Sequence, residues 1–429
     1  MKVLIIGSGG REHALGWKLR QSPEVTDLVF APGNAGTESI GMNVAVPADD
    51  IDKLVTLIRR ERFGFAVVGP EAPLVKGVVD RFEKEKLPVF GPSAAAAELE
   101  GSKVFCKNLM RQYGIPSAPF RVFHEPRSAV QFLKGAAYPL VVKADGLAAG
   151  KGAVVCASDG EAIAAVEGMM VQKIFGKAGE RVIVEDFLAG VEASILALTD
   201  GKTIVPLETA QDHKRIRDGD EGPNTGGMGA YSPAGVVSRE DLDAVIRELL
   251  VPTIHAMNRE KRRFRGLLYA GVMLTKSGPK LIEYNVRFGD PECQPLMMRL
   301  KSDLLPLLRA SAEGRLDEMT IEWDPRPALC VVMASGGYPG PYETGTPITG
   351  LAAAAGDPDT AVFHAGTARR DDKVVTAGGR VLGVTALGAD LPEAYRRAYA
   401  AVRKISFTDA HYRTDIGSQS LGLTAARRE

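Results

Sequence analysis

The chain has little cysteine, no surplus of charge and no long apolar run. Its four cysteines among 429 residues, Cys106, Cys156, Cys293 and Cys330, lie far apart, and no pair has metal-site or redox-motif spacing. A disulfide-stapled scaffold is thereby excluded, and reduced thiols in a cytoplasm are expected. The six histidines form no H-E-x-x-H or similar ligand set. Lys plus Arg equals Asp plus Glu, 53 each, which argues against a generally basic surface for nucleic acid. The apolar run at the start, "VLIIG", is far too short for a signal peptide or a membrane span. No nucleic-acid or membrane partner is expected. What remains is 45% hydrophobic and 25% charged, the balance of an ordinary globular chain of two to four domains.

Residues 1 to about 100 alternate strand and helix. "KVLIIG", "TDLVF", "FAVVG" and "LPVFG" have the composition of buried strands, and Ile51, Leu54, Val55 and Ile58 form a helical stripe between them. An open parallel sheet follows from that alternation. "GPSAAAAELEGSK" opens a new unit, and a central region of mixed strands and helices runs to about residue 325. From Ala328 the texture changes to short strands with Gly-rich turns, then a helix, "LPEAYRRAYAAVRKI". There "TAGGRV" has the pattern of a two-residue hairpin turn.

Four stretches carry chemistry. The first is "VVKADGLAAGKGAVV", residues 141–155, with Lys143 and Lys151 around a glycine loop between two strands. Glycine lets backbone N–H groups approach a ligand, and lysine supplies charge for phosphate oxygens. It is not a P-loop: three residues separate its glycines, and Gly152 stands where Ser or Thr would hold a metal. It is a nucleotide loop of another design or a tight hairpin. The second is "IIGSGGREHA". Gly7 and Gly9 fit a dinucleotide fingerprint, but Glu12 occupies the third glycine position. Gly9, Gly10 and Arg11 still lie where a strand meets a helix N-terminus, which favours an anion; a tight turn with a solvated Arg is the alternative. The third is "LIEYNVRFGDPE". With period two, Glu283, Asn285 and Arg287 share one face, and Ile282, Tyr284, Val286 and Phe288 the other. Glu and Asn oxygens suit Mg²⁺, and Arg suits a carboxylate or acyl phosphate; a solvated polar strand face is the alternative. The fourth is residues 211–233, "QDHKRIRDGDEGPNTGGMGAYSP", long, glycine-rich and without apolar periodicity. It is expected to be a loop that wraps a very small ligand or a disordered surface segment.

In this order the two-Lys loop, "VEDFLAGVEAS", "QDHKR", "GPNTGGMGAYSP" and "IEYNVRFGDPE" resemble an ATP-grasp ligase. With "GSGGREHA", "APGNAGT", "VGPEAPLVKGVVD", "FGPSAAAAELEGSK" and "GGYPG", the chain closely resembles the phosphoribosylamine–glycine ligases of purine biosynthesis from Lys2 to about Gly417. The resemblance implies an α/β and α+β multidomain fold. Its parts would be an N-terminal open parallel sheet over 1–103 and an ATP-grasp core over 104–122 and 191–325. A mobile flap subdomain would span 123–190 and a small α+β domain 326–429. It also implies a reaction. Glycine carboxylate attacks the γ-phosphate of ATP, and the nitrogen of 5-phosphoribosylamine displaces phosphate from glycyl phosphate.

Carried over residue by residue, Lys103 and Lys143 would contact ATP phosphates under a flap at 146–152 that includes Gly146, Gly150, Lys151 and Gly152. Glu185, Phe187 and Leu188 would line the adenine, and Glu192 would take the ribose hydroxyls. Glu283 and Asn285 would hold Mg²⁺ or Mn²⁺. Asp212, Arg287 and the loop of Gly226, Gly227 and Gly229 would hold glycine, with Arg287, Asp212 and Lys143 as the catalytic set. Gly9, Gly10, Arg11 and Glu71 would face the phosphoribosylamine. The partners implied are these small molecules, for a monomer or weak dimer. Cys293 and Ile216 depart from the family pattern without touching an assigned residue. An ATP-grasp carboxylase would share the central fold but would not need "QDHKR" with "NTGGMG". A non-catalytic nucleotide module could lose Glu283 or Lys143, and both are present. A nicotinamide oxidoreductase is disfavoured by the broken fingerprint.

Overall fold

A computed structural model describes residues 1–148, 150–418 and 420–421. Ala149 of the glycine loop and the end of the C-terminal domain, Gln419 and 422–429, lie outside the described residues. The first hundred residues build a five-stranded parallel sheet in the order Met42–Asn43, Asp27–Pro32, Lys2–Gly7, Phe65–Val68, Val89–Phe90. Strand Lys2–Gly7 is apolar from Val3 onward because both faces are covered. Leu4 and Ile6 pack into one core, and Val3 and Ile5 into another. Helix Ile51–Arg60 forms as its stripe predicts, started by Asp50, whose carboxylate accepts the Lys53 N–H at 3.1 Å.

Two antiparallel sheets follow. One orders Ile204–Pro206, Val191–Thr199, Gly266–Thr275 and Gly278–Asn285. Its buried face shares both cores with the first sheet. The other orders Phe120–Phe123, Val182–Asp186, Leu140–Ala144 and Ala153–Cys156, and packs helices Pro126–Leu133 and Asp159–Val166 into a small core of its own. The two-Lys loop is the hairpin connection of this sheet, pairing Lys143 with Ala153. The last sheet orders Gln211–Asp212, Gly229–Ser232, Ala328–Ala334, Arg380–Leu387 and Thr360–His364. It draws chain from both sides of residue 326.

The structure differs from the sequence expectation in three places. The alternation along 281–288 is interrupted. Leu281 pairs with Val272 and Glu283 with Gly271, so Ile282 is an extra residue, a bulge. Leu281 takes the core position, and Ile282 turns to the cavity described below. Residues 211–233 are not a structureless loop: four short strands run through them, too short to show a period. "TAGGRV" is not a hairpin. Lys373–Thr376 pairs with Thr367–Arg370 across Asp371 and Asp372, both at positive φ, and Gly378–Gly379 connects two different sheets. A Cβ at Gly379 would fall 2.3 Å from Tyr338 Cδ2, so that glycine makes room for a ring rather than for a turn.

Candidate active site

A cavity of about 610 Å³ lies where the flap sheet, the 191–285 sheet and the C-terminal sheet face one another. Its apolar end is lined by Val141, Val155, Phe187, Leu188, Met273 and Ile282, a slot suited to a flat aromatic base. Beside it Glu185 sits between two ammonium groups. Its Oε2 lies 3.0 Å from Lys143 Nζ and 3.0 Å from Lys107 Nζ, and all three side chains are buried. Lys143 also donates to the Ile282 carbonyl at 3.3 Å, an oxygen presented by the bulge. Burial opposes its charge, but Glu185 and Glu283 hold its pKa above the usual lysine value. For Lys107 burial dominates and lowers the pKa, against the pull of Glu185. Glu185 Oε1 has no hydrogen-bond partner, and Lys107 Nζ has none beyond its ion pair with Glu185, so this buried cluster is not satisfied from within. Lys103 Nζ donates to the Gly146 carbonyl at 3.3 Å and also lines the cavity.

The glycine loop of the flap meets the 211–233 segment directly. Gly150, at φ +74°, is so close that a Cβ there would fall 3.1 Å from the Thr225 carbonyl oxygen and 3.6 Å from Gly226 Cα. Around this junction Glu192, Asp212, Lys214, Glu283, Asn285 and Arg287 converge. Burial would raise the pKa of Glu283, but Lys214, Lys103, Lys143 and Arg287 outweigh it and hold the carboxyl below its usual range. Asp212 is the opposite case: burial, reinforced by Glu292 and Glu192 against Lys214, pushes it up to about 8. Lys214 is ion-paired with Glu192. Burial opposes its charge, yet Glu192, Asp212 and Glu283 raise its pKa well above the usual value. Asn285 Oδ1 accepts from Arg287 Nη2 at 3.1 Å. Arg287 is further held by Glu71 at 3.2 Å and Glu100 at 3.1 Å. Glu100 Oε2 takes the Val286 N–H at 2.7 Å, fixing the strand end that carries Arg287.

Among the described residues no three His, Cys, Asp or Glu side chains form a metal cage. Glu283 and Asn285 offer two hard oxygens beside lysines placed for phosphate, which fits a divalent ion completed by phosphate oxygens and water. Not every expected residue lines this cavity. Gly9, Gly10, Gly146, Gly227 and Gly229 do not. Gly9 N–H donates to Glu12 Oε2 at 2.6 Å, and a Cβ at Gly10 would meet Gln294 Nε2, so the helix N-terminus is filled from within. Gly227 and Gly229 press on Pro291 and the Cys330 carbonyl, and Gly146 on Ala178. Arg11 and Glu71 do line the far end of the cavity.

Sequence reading missed several lining residues. Lys107 lies one helical turn after Lys103 on helix Lys103–Tyr113, an i, i+4 signal available in the sequence. Lys214 lies two residues after Asp212, the same period-two signal that exposed Glu283 and Asn285. Arg380 reaches the cavity from the C-terminal sheet and Tyr338 from the turn after strand Ala328–Ala334; "GGYPG" includes Tyr338 without pointing to a role for it, and no local pattern marks Arg380.

Two facing antiparallel sheets, one ending in a glycine hairpin over lysines and the other carrying a carboxylate and an amide, define an ATP-grasp enzyme. The phosphoribosylglycinamide synthetase family matches in three consecutive pieces: the N domain over residues 1–100, the ATP-grasp (A) domain over 101–293 and the C domain over 328–419. The chain is 53% identical over 426 residues to the phosphoribosylamine–glycine ligase of Rhodopirellula baltica, covering 98% of each chain. The crystal structure of the same ligase from Thermotoga maritima superposes with a TM-score of 0.84 at 36% identity, covering 97% of this chain and 100% of that one. A biotin carboxylase domain from Hydrogenobacter thermophilus, solved with MgADP, shares the fold at 14% identity and TM-score 0.71, over 96% and 91% of the two chains. The chain belongs to the phosphoribosylamine–glycine ligase family.

Proposed function

We propose that this protein joins glycine to 5-phosphoribosylamine with ATP, through glycyl phosphate, giving glycinamide ribonucleotide, ADP and phosphate. The observation that carries the reading is the contact of Gly150 with Thr225 and Gly226. It sets the loop that would cover the phosphates against the loop that would hold glycine, so an attacking carboxylate and the γ-phosphate meet at one point. Adenine occupies the apolar slot beside Phe187 and Leu188, and Glu192 takes the ribose. Lys103, Lys143 and backbone N–H groups near Gly150 and Gly152 neutralise the phosphates. Lys107 supports Lys143 by sharing Glu185.

Arg287 binds the glycine carboxylate, and Asp212 accepts its ammonium group. Arg11 and Glu71 face the phosphoribosylamine; Gly9 and Gly10 act there only by keeping the helix start narrow. Glu283 and Asn285 hold Mg²⁺, or Mn²⁺, which supplies charge neutralisation on the phosphates when bound. The chemistry then needs no covalent help from the protein. Its side chains hold the carboxylate in line with the γ-phosphate and keep water from the acyl phosphate until the amine arrives. We place the enzyme in the cytoplasm as a monomer or weak dimer; no helix among the described residues is long and apolar enough to cross a membrane. ADP release tests the function. It should require glycine, phosphoribosylamine and Mg²⁺ together, and release that ignores glycine would contradict it.

A further inference from the structure

The turn after strand Ala328–Ala334 of the C-terminal sheet sends Tyr338 into the junction of the two loops. Tyr338 Oη accepts the Gly226 N–H at 3.0 Å. The carbonyl of the same glycine accepts from Arg380 Nη1, whose guanidinium also reaches the Asp290 carbonyl at 2.6 Å. Gly226 is thus held at its N–H and at its C=O by two residues more than a hundred positions away in the chain. On its other side Tyr338 faces the phosphate loop. Lys151 Nζ stands 5.6 Å from the centre of its ring and donates to the next carbonyl, Pro339, at 2.7 Å. The ring is wedged in place, since a Cβ at Gly379 would overlap it at 2.3 Å.

We propose that Tyr338 is a positioning residue for both loops: its hydroxyl fixes Gly226 for glycine, and its ring seats Lys151 so that the phosphate loop lies over ATP. Lys151 then acts by anchoring its loop rather than as a phosphate ligand. Its ammonium is already committed to the Pro339 carbonyl and the ring face. The C-terminal sheet becomes part of the reacting centre without touching a reacting atom. The inference rests on the placement of glycine and ATP given above, and it assigns separate consequences to separate atoms of one side chain.

Two variants separate them. Y338F deletes the hydroxyl and keeps the ring; Y338L deletes both. Folding of each is checked by thermal melting. Leaving the Gly226 N–H without its acceptor should raise KM for glycine about five- to tenfold in Y338F. ATP affinity by calorimetry should stay within about twofold of wild type, because the ring face remains. Y338L should show the same glycine defect and a loss of ATP affinity of about three- to fivefold. An unchanged glycine KM in Y338F overturns the hydroxyl's role. Equal shifts of both constants in both variants overturn the division and reduce Tyr338 to a packing residue. Wild-type protein that releases no ADP in response to glycine would overturn the function proposed above and the hydroxyl's role with it. The ATP titration of Y338L against wild type still decides the ring's role in that case.

Discussion

Gly150 of the two-Lys loop lies against Thr225 of the 211–233 segment, with 3.1 Å between a Cβ at the first and the carbonyl oxygen of the second. The φ of Gly150 is +74°, a region that costs an L side chain about 1–2 kcal/mol. Gly150→Ala therefore meets both strain and a near contact. Turnover should fall at least about tenfold while the melting temperature changes little, since the loop is peripheral to the cores. Wild-type turnover in this variant would mean that the two loops need not touch during catalysis.

The carboxylate of Glu283 stays ionised because Lys214, Lys103, Lys143 and Arg287 outweigh its burial. Glu283→Gln keeps shape and removes the charge that a divalent ion needs. Circular dichroism should match wild type and ADP release should fall by about a hundredfold or more. Near wild-type activity at ordinary Mg²⁺ would remove Glu283 from the metal site.

Asp212 gives a pH dependence with a definite sign. Burial, with Glu292 and Glu192, lifts its pKa to about 8, so in the empty site it is protonated below that pH. Pairing with the glycine ammonium requires it to lose the proton. The value of kcat/KM for glycine should climb about tenfold per pH unit and level near pH 8. Asp212→Asn should be low and flat over the same range, with ATP binding near normal by calorimetry. A flat profile for wild type would move Asp212 out of the glycine site.

Much of this arrangement was legible in the sequence, and the exceptions have physical reasons. The first sheet was legible because runs such as "KVLIIG" are buried on both faces and bounded by turns. Glu283, Asn285 and Arg287 were legible because a strand puts alternate residues on one side. The bulge at Ile282 was not, since it depends on pairing with the distant Gly271–Val272 step. The pair Gly378–Gly379 has the composition of a hairpin turn, yet its glycines serve close packing against Gly366 and Tyr338. The roles of Tyr338, inside "GGYPG", and of Arg380 were not legible because both come to the site through tertiary packing from more than a hundred residues away in the chain.

Three buried histidines should make the fold acid-sensitive. Burial is the largest cause in each: it lowers His13 to about 3 and His213 and His364 to about 4. His13 Nδ1 accepts the His364 N–H at 2.8 Å, joining helix Gly10–Leu19 to the C-terminal sheet. In the unfolded chain these rings take protons once pH falls below about 6.5, whereas in the folded protein they do not until far lower. Their stability contribution is complete above that pH and is lost on acidification, by about 2 kcal/mol per ring at pH 5. Urea midpoints measured from pH 7 to pH 5 should fall. A constant midpoint would show that the rings are protonated in place.

The central claim is that the junction of Gly150 with Thr225 and Gly226 brings the glycine carboxylate to the γ-phosphate of ATP. Glycine labelled with oxygen-18 in its carboxylate tests it directly. If the carboxylate attacks phosphorus, the bridging oxygen leaves with the phosphate when the amine displaces it, and mass spectrometry of the inorganic phosphate should show one labelled oxygen per turnover. Unlabelled phosphate, with the oxygen lost from the carboxylate found in ADP or in water instead, would contradict the account.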